Sequence, residues 1–281
     1  MKKVLITGNS GYVGSHLTQL LGKRNDLELY GLDKSKSVVS MERFAWNDIT
    51  MPEHIKWQIE DIEFDCVIHL AAEVAVGRSV LNPTLYYLTN TLGTLRVLRD
   101  LKFKRFVYAS TGLAGSMNNP YGISKRASEE IVDQYCKENN IPFTTFRFYN
   151  VTGSDGINPT NPDGLMWNLI NAEKTGVFNL FGDDYNTEDG SAVRDYIHVN
   201  EICNALEQAI GRSTNQIENL GHGKGTTVKQ MIALYKKVNN CDFDVNVCQR
   251  RAGDLEKSVL DHPSSYMTQM YSIDEMLKVR N

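Results

Sequence analysis

Nothing in this chain has the make-up of a metal centre or a disulfide framework. Its five cysteines (Cys66, Cys136, Cys203, Cys241 and Cys248) form no Cys-x-x-Cys pair and no Cys/His ligand spacing, and an odd number leaves one thiol unpaired. That argues against structural zinc, leaves no metal to expect, and fits a reducing, cytoplasmic setting. Long hydrophobic runs are missing too. The apolar part of the opening Met-Lys-Lys-Val-Leu-Ile-Thr-Gly is too short for a signal peptide or a membrane span and breaks at once into a glycine-rich turn. No excess of one charge is present: 30 Lys and Arg stand against 34 Asp and Glu, a formal −4. Such a balance gives no general attraction for nucleic acid or an anionic membrane, so a phosphate-bearing ligand must be held by local donors. Without internal repeats, heptads or low-complexity tracts, solenoids and coiled coils drop out as well.

The composition that remains, 281 residues with 41% hydrophobic and 23% charged, can bury a sizeable core. Lys3–Thr7, Leu27–Leu32, Cys66–Leu70, Arg105–Ser110 and Phe143–Phe148 are short β-branched or aromatic runs, and helical patterns lie between most of them. This alternation predicts an α/β fold, a Rossmann-like doubly wound parallel sheet with helices on both faces. Beyond about Asn150 the rhythm loosens into Asn/Pro/Gly/Asp-rich loops such as 153–164. Residues 1–150 are therefore assigned to a dinucleotide-binding domain, to which later segments return, and 151–281 mainly to a smaller C-terminal α/β lobe for the substrate.

The first strand feeds into Gly8-Asn9-Ser10-Gly11-Tyr12-Val13-Gly14 and then a helical pattern from Ser15 to Leu21. Gly8 permits the turn, Gly11 lets backbone approach a pyrophosphate, and Gly14 lets helix and strand pack closely. The helix N-terminus then offers free N–H groups and the positive end of a dipole to an anion. Asp33 ends the second strand, 19 residues after Gly14. A carboxylate there accepts ribose hydroxyls and repels a 2′-phosphate, which favours NAD over NADP.

Pro120-Tyr121-Gly122-Ile123-Ser124-Lys125 opens an amphipathic helix from Tyr121 to Glu138, so Tyr121 and Lys125 share a face. A phenol ionises near pH ~10, and acting as a base at neutral pH needs its anion stabilised by roughly 3 units, or about 4 kcal/mol, part of which an ammonium supplies. The same Tyr-x-x-x-Lys spacing recurs at Tyr30 and Lys34, where it straddles a strand end and the side chains need not meet. Upstream of Tyr121, Arg105 to Thr111 ends at the carboxyl edge of the sheet. Strand register favours Thr111 as the hydroxyl on a substrate oxygen, with Ser110 nearer a nicotinamide; a shift of one residue exchanges them.

These motifs, with His69-Leu-Ala-Ala72 and Asn90 in a helix, resemble the extended short-chain dehydrogenase/reductase superfamily. The block from Phe181-Gly-Asp-Asp-Tyr to Arg194-Asp-Tyr-Ile-His198 is similar to that of UDP-glucose (UDP-galactose) 4-epimerases, as are Arg147-Phe-Tyr-Asn150, Asn219-Leu-Gly-His and Arg250-Arg251-Ala-Gly-Asp254. The resemblance implies an isomerase that uses NAD, with Thr111, Tyr121 and Lys125 as catalytic residues. It places Gly8, Ser10, Gly11, Tyr12, Val13, Gly14, Asp33, Asp48, Ile49, Leu70, Ala71, Ala72, Asn90, Ser110, Tyr121, Lys125 and Tyr149 at the cofactor. It places Asn150, Leu165, Asn179, Phe181, Arg194, Arg251, Asp254 and Ser258 at a UDP-sugar. A homodimer through the helices near Tyr86–Leu98 and Tyr121 is implied too, and a small residue at 258 implies room for an N-acetylated hexose.

Departures accompany the resemblance. Nine residues separate Thr111 from Tyr121 where such enzymes carry a longer loop, a common lysine appears as Val74, and an asparagine before a substrate helix appears as Gly164. Three other readings stay open: a dehydratase, disfavoured because Gly112 and Leu113 replace Asp-Glu after Thr111; a reductase, disfavoured by Asp33; and a non-catalytic NAD-binding sensor.

Overall fold

The structure, a computed structural model, describes residues 1–36, 39–51, 59, 61–266 and 271–279. Seven strands form the central sheet in the order Gln216–Leu220, Phe143–Phe148, Phe106–Thr111, Cys66–His69, Lys2–Thr7, Leu27–Asp33 and Phe44–Trp46. Every neighbouring pair is parallel. Strand order reverses at Lys2–Thr7, and the crevice beyond the carboxyl end of that strand is where such sheets take ligands.

Alternation along the first strand shows why the sheet is covered twice. Val4 and Ile6 pack with Leu17 and Leu21 of helix Tyr12–Leu21 and with Ile202 and Leu206 of helix Val199–Ala209. Leu5 points the other way, into Val97 and Leu98 of helix Gly93–Asp100 and Val132 and Cys136 of helix Pro120–Glu138. A strand buried on both faces reads as an unbroken apolar run.

The five expected strands all occur, with ends moved by a residue: the fourth in sheet order stops at His69, and its neighbour starts at Phe106 and continues to Thr111. Two sheet strands were not anticipated. Phe44–Trp46 has only three residues, and Gln216–Leu220 carries Glu218 and Asn219; pairing with an existing edge, rather than composition, makes each of them a strand. The helix bearing Asn90 is also irregular: Pro83–Tyr86 is α-helical, Tyr87–Leu92 is a π-turn and Gly93–Asp100 is α-helical again.

A second core joins helices Leu165–Thr175, Val228–Asn239 and Ile273–Leu277 to the parallel pair Val177–Phe181 and Asp244–Cys248, through Leu169, Phe178, Leu180, Tyr235 and Phe243. Strand Val193–His198 gathers distant segments, pairing with Asn150–Thr152, Gly225–Thr227 and Lys257–Ser258. That register sets Ser258 beside Arg194.

Candidate active site

A cavity of about 470 Å³ runs from the glycine turn, past the carboxyl end of the sheet, to the smaller lobe. At its first end Gly8 has φ 74°, and a Cβ there would lie 2.6 Å from the Ala71 nitrogen. No side chain caps helix Tyr12–Leu21, so its first turn keeps N–H groups for an anion. Gly8, Gly11, Tyr12, Val13, Gly14, Leu70 and Ala72 line the cavity. The Tyr12 hydroxyl donates to the Gly153 carbonyl, tying the turn to the smaller lobe.

Asp33 lies just outside this lining. Its Oδ2 accepts the Ser10 N–H at 3.0 Å and its Oδ1 the Ser35 N–H at 2.8 Å, which fixes a carboxylate beside the turn. Asp48 accepts the Thr50 N–H at 2.8 Å, and the Ile49 side chain packs into the core under Gly93. Ala71 backs the turn through its N–H, which donates to Thr7 Oγ1. Asn90 is buried away from the cavity: its Oδ1 accepts the Glu73 N–H, while Nδ2 donates to the Glu73 carbonyl and Ser124 Oγ, so its side chain braces the wall. The second Tyr-x-x-x-Lys pair points apart, Tyr30 to Glu28 and Lys34 to Glu73.

The middle of the cavity holds Ser110, Thr111, Tyr121, Lys125 and Tyr149. Asn119 caps helix Pro120–Glu138 by accepting the Gly122 N–H at 2.8 Å, so the short segment after Thr111 delivers Tyr121 on the first helical turn. Burial pushes the Tyr121 phenol up to about 12, and the Thr111 hydroxyl opposes that shift. Lys125 Nζ donates to the Ala109 carbonyl at 2.7 Å and lies 4.8 Å from the centre of the Tyr108 ring. Burial lowers its pKa to about 7, against the pull of Glu129. Thr111 faces the phenol, whereas the Ser110 hydroxyl turns away and donates to Glu129 at 2.6 Å. Buried behind Tyr108 is His69, whose ring accepts from Thr7 at 2.6 Å and donates to Thr94 at 3.0 Å, a tautomer fixed because the Thr94 hydroxyl itself donates to the Asn90 carbonyl.

Arg194 and Arg251 dominate the far end, near Asn150, Leu165, Asn179, Phe181, Asp254 and Ser258. The Arg251 guanidinium lies 3.8 Å from the Phe181 ring centre and donates to the Asp163 carbonyl, while Arg194 approaches Asp254 at 3.7 Å. Burial raises the Asp254 carboxyl despite both arginines. Asn150 donates to the Asp195 carbonyl and Asn179 accepts from Asn246. Helix Leu165–Thr175 opens on the cavity at Gly164 without a side-chain cap, a second donor set for an anion. Sequence reasoning passed over Asp163, which lines the cavity and whose carboxylate accepts the Gly77 N–H, and Glu129, an acid one helical turn beyond Lys125 that could have been noticed from that spacing.

With a glycine turn and an uncapped helix N-terminus at one end, a Thr-Tyr-Lys group in the middle and a guanidinium pair at the other, the cavity suits a dinucleotide laid against a sugar diphosphate. Residues 4–221 match the NAD dependent epimerase/dehydratase family. The chain belongs to that family. It is 31% identical over 294 residues to the UDP-glucose 4-epimerase of Haemophilus influenzae, covering 90% of this chain and 87% of that one. The UDP-glucose 4-epimerase of Bifidobacterium longum, solved with NAD+ and UDP, matches with a TM-score of 0.88 at 25% identity, over 98% and 96% of the two chains. The UDP-Glc/GlcNAc 4-epimerase of Campylobacter jejuni matches with a TM-score of 0.79 at 28% identity, over 99% and 98%. Among the described residues of this family member no helix is long and apolar enough to cross a membrane, and no cluster of His, Cys, Asp and Glu could hold a metal ion.

Proposed function

We propose that this chain is an NAD-dependent 4-epimerase of UDP-hexoses, working through a transient 4-keto sugar. The observation that carries the proposal is the placing of Thr111, Tyr121 and Lys125 on one cavity wall between the glycine turn and the Arg194–Arg251 pair. The cofactor fits the glycine turn, where Gly8 and Gly14 let backbone segments pack too closely for any Cβ and Gly11 lines the cavity before an uncapped helix N-terminus; Asp33, held beside that turn, would accept ribose hydroxyls. When bound, NAD supplies a hydride acceptor that is regenerated within each cycle.

Tyr121 Oη takes the proton from the sugar 4-hydroxyl, Thr111 hydrogen-bonds the same oxygen, and the Lys125 ammonium stabilises the phenolate. Both arginines and the open N-terminus of helix Leu165–Thr175 anchor the diphosphate, since planar guanidinium groups stay charged and match phosphate oxygens. A ketone held only through its nucleotide can present either face to the cofactor, and Tyr121 returns the proton at the end. The division of labour between residues 1–150 and 151–281 belongs to this proposal, with helix Val199–Ala209 and strand Gln216–Leu220 serving the dinucleotide side.

We extend the proposal to a homodimer in the cytoplasm. Leu88, Leu95 and Ile123 are 46%, 41% and 39% exposed on the neighbouring helical segments Tyr87–Asp100 and Pro120–Glu138, a surface suited to a second copy. Light scattering that finds a monomer at micromolar concentration overturns the dimer. All five cysteines are free, which suits a reducing compartment.

The deciding experiment follows UDP-, GDP- and dTDP-hexoses by NMR of the anomeric proton, with wild type and Tyr121→Phe side by side. A new 4-epimer from UDP-glucose is expected, and Tyr121→Phe should bind NAD normally while losing turnover by about three orders of magnitude or more. Near-wild-type turnover by Tyr121→Phe overturns the mechanism.

A further inference from the structure

Behind Lys125 lies a buried charge network that touches neither the glycine turn nor the arginine pair. Glu129 follows Lys125 by four residues on helix Pro120–Glu138 and is 1% exposed. That spacing puts the two side chains on one face, with Cβ atoms roughly 5–6 Å apart. Glu129 Oε1 accepts from Ser110 Oγ at 2.6 Å and from Arg147 Nε at 2.8 Å; Oε2 accepts from Arg147 Nη2 at 2.6 Å and from Arg126 Nη1 at 3.4 Å. Ser110 and Arg147 stand opposite each other on paired strands, so two strands and a helix fix one carboxylate. An ion pair with a buried carboxylate and a partly buried guanidinium costs desolvation, and replacing such a pair with apolar packing is often neutral for stability, so its use is sought in what stands next to it.

Lys125 is what stands next to it. Its Nζ meets a carbonyl and an aromatic face and, among the described residues, no carboxylate, and burial works against its charge. Among the described residues, the other ionisable groups beside it are the Tyr108 phenol and the imidazole of His69, whose positive form Lys125 itself disfavours, with Tyr121 one helical turn earlier on the same cavity wall. Segment Tyr87–Leu92 and helix Gly93–Asp100 face this part of helix Pro120–Glu138 with Asn90 and Thr94, both uncharged. The negative charge acting on Lys125 is therefore that of Glu129.

We propose that Glu129 is a positioning residue: clamped by Arg147 and Ser110, its carboxylate keeps Lys125 protonated so that the ammonium can stabilise the Tyr121 phenolate. This rests on Tyr121 and Lys125 being the acid–base pair. Without the carboxylate, Lys125 loses the negative charge that opposes its burial and gives up its proton at lower pH.

The test measures kcat and KM of the NAD-loaded, full-length enzyme on UDP-glucose from about pH 6 to about pH 10. In Glu129→Gln the alkaline limb of kcat should move down by about one pH unit, a roughly tenfold loss at a fixed alkaline pH, with little change in KM. Because Gln takes the bidentate partner from the partly buried Arg147, Glu129→Gln/Arg147→Met removes both charges of the pair and should show the same displaced limb. A wild-type alkaline limb in either variant shows that the pair only holds elements together and overturns the proposal. Tyr121→Phe, run in parallel, separates the failures: full activity there defeats the acid–base pair itself, whereas an inactive Tyr121→Phe beside an unshifted Glu129→Gln defeats only the role of Glu129.

Discussion

A Cβ placed on Gly14 would stand 2.1 Å from the carbonyl oxygen of Gly8. Helix Tyr12–Leu21 is thus pressed onto the turn that precedes it, and this contact aims its first N–H groups into the cavity. Gly14→Ala has to push helix and turn apart. Overpacking of this kind costs about 1–3 kcal/mol, and the displaced donors should weaken NAD binding about tenfold or more, each factor of ten being ~1.4 kcal/mol. Calorimetry and thermal melts check both effects. Unchanged NAD affinity in Gly14→Ala would mean that the turn does not cradle the pyrophosphate.

Lys125 presents a conflict between stability and use. Burial depresses its pKa from an ordinary 10.5 to about 7. Below about 7 the folded chain holds the buried ammonium at full cost; between 7 and 10.5 the unfolded chain keeps a proton that the folded chain releases, so stability rises with pH through that window. Lys125→Met should therefore be more stable than wild type near neutral pH, by roughly 1–3 kcal/mol after the lost hydrogen bond to Ala109 is counted. The gap should close as the pH approaches 10.5 while epimerisation stays severely impaired. Urea titrations at several pH values measure it, and a variant less stable than wild type at neutral pH would show that the ammonium carries no net burial cost.

The glycine turn, the strand-end Asp33 and the Tyr121–Lys125 spacing were legible in the sequence because each demand is local: a turn, a strand end, one helical turn. Five sheet strands were legible for the same reason, since each is a short β-branched or aromatic run set between helical patterns. What could not be read depends on partners far along the chain. Phe44–Trp46 and Gln216–Leu220 become strands only by pairing with Leu27–Asp33 and Phe143–Phe148. The amide partners of Asn90, Glu73 and Ser124, lie 17 and 34 residues away. The choice between Ser110 and Thr111 depended on which hydroxyl Glu129 would claim, a contact across 19 residues that no local pattern announces.

His69 should make the fold acid-sensitive. Buried between Thr7 and Thr94, its imidazole is pushed down from 6.5 to about 3, because burial penalises the cation and Lys125 adds repulsion. Its pKa in the folded chain lies below that of the unfolded chain, so its contribution is fully present above 6.5 and is lost as the pH falls toward 3. The slope from this one group approaches ~1.4 kcal/mol per pH unit. His69→Gln, which can keep a hydrogen bond to one threonine without titrating, should be less stable at neutral pH but flatter between about pH 6 and about pH 4. Parallel slopes for wild type and His69→Gln in urea titrations would assign the acid sensitivity to other groups.

Substrate breadth should be decided at Ser258. Strand Lys257–Ser258 pairs with Val193–His198 so that Ser258 lies opposite Arg194, and it lines the cavity at the end where the arginines would hold the diphosphate. A hydroxymethyl there leaves space that a phenol would occupy. Excluding a bulky group by steric clash discriminates strongly, whereas leaving space unfilled costs a smaller sugar only a few contacts. Wild type should therefore interconvert the N-acetylated UDP-hexose pair as well as UDP-glucose and UDP-galactose. Ser258→Tyr should suppress the N-acetylated pair by about 100-fold or more, equivalent to about 2.7 kcal/mol of differential transition-state binding, while UDP-glucose turnover stays within about threefold of wild type. NMR progress curves on the four sugars give the ratio directly. Equal losses on both pairs in Ser258→Tyr would show that the introduced phenol blocks the sugar as a whole, and a wild type inactive on the N-acetylated pair would place the closing side chain elsewhere in the cavity wall.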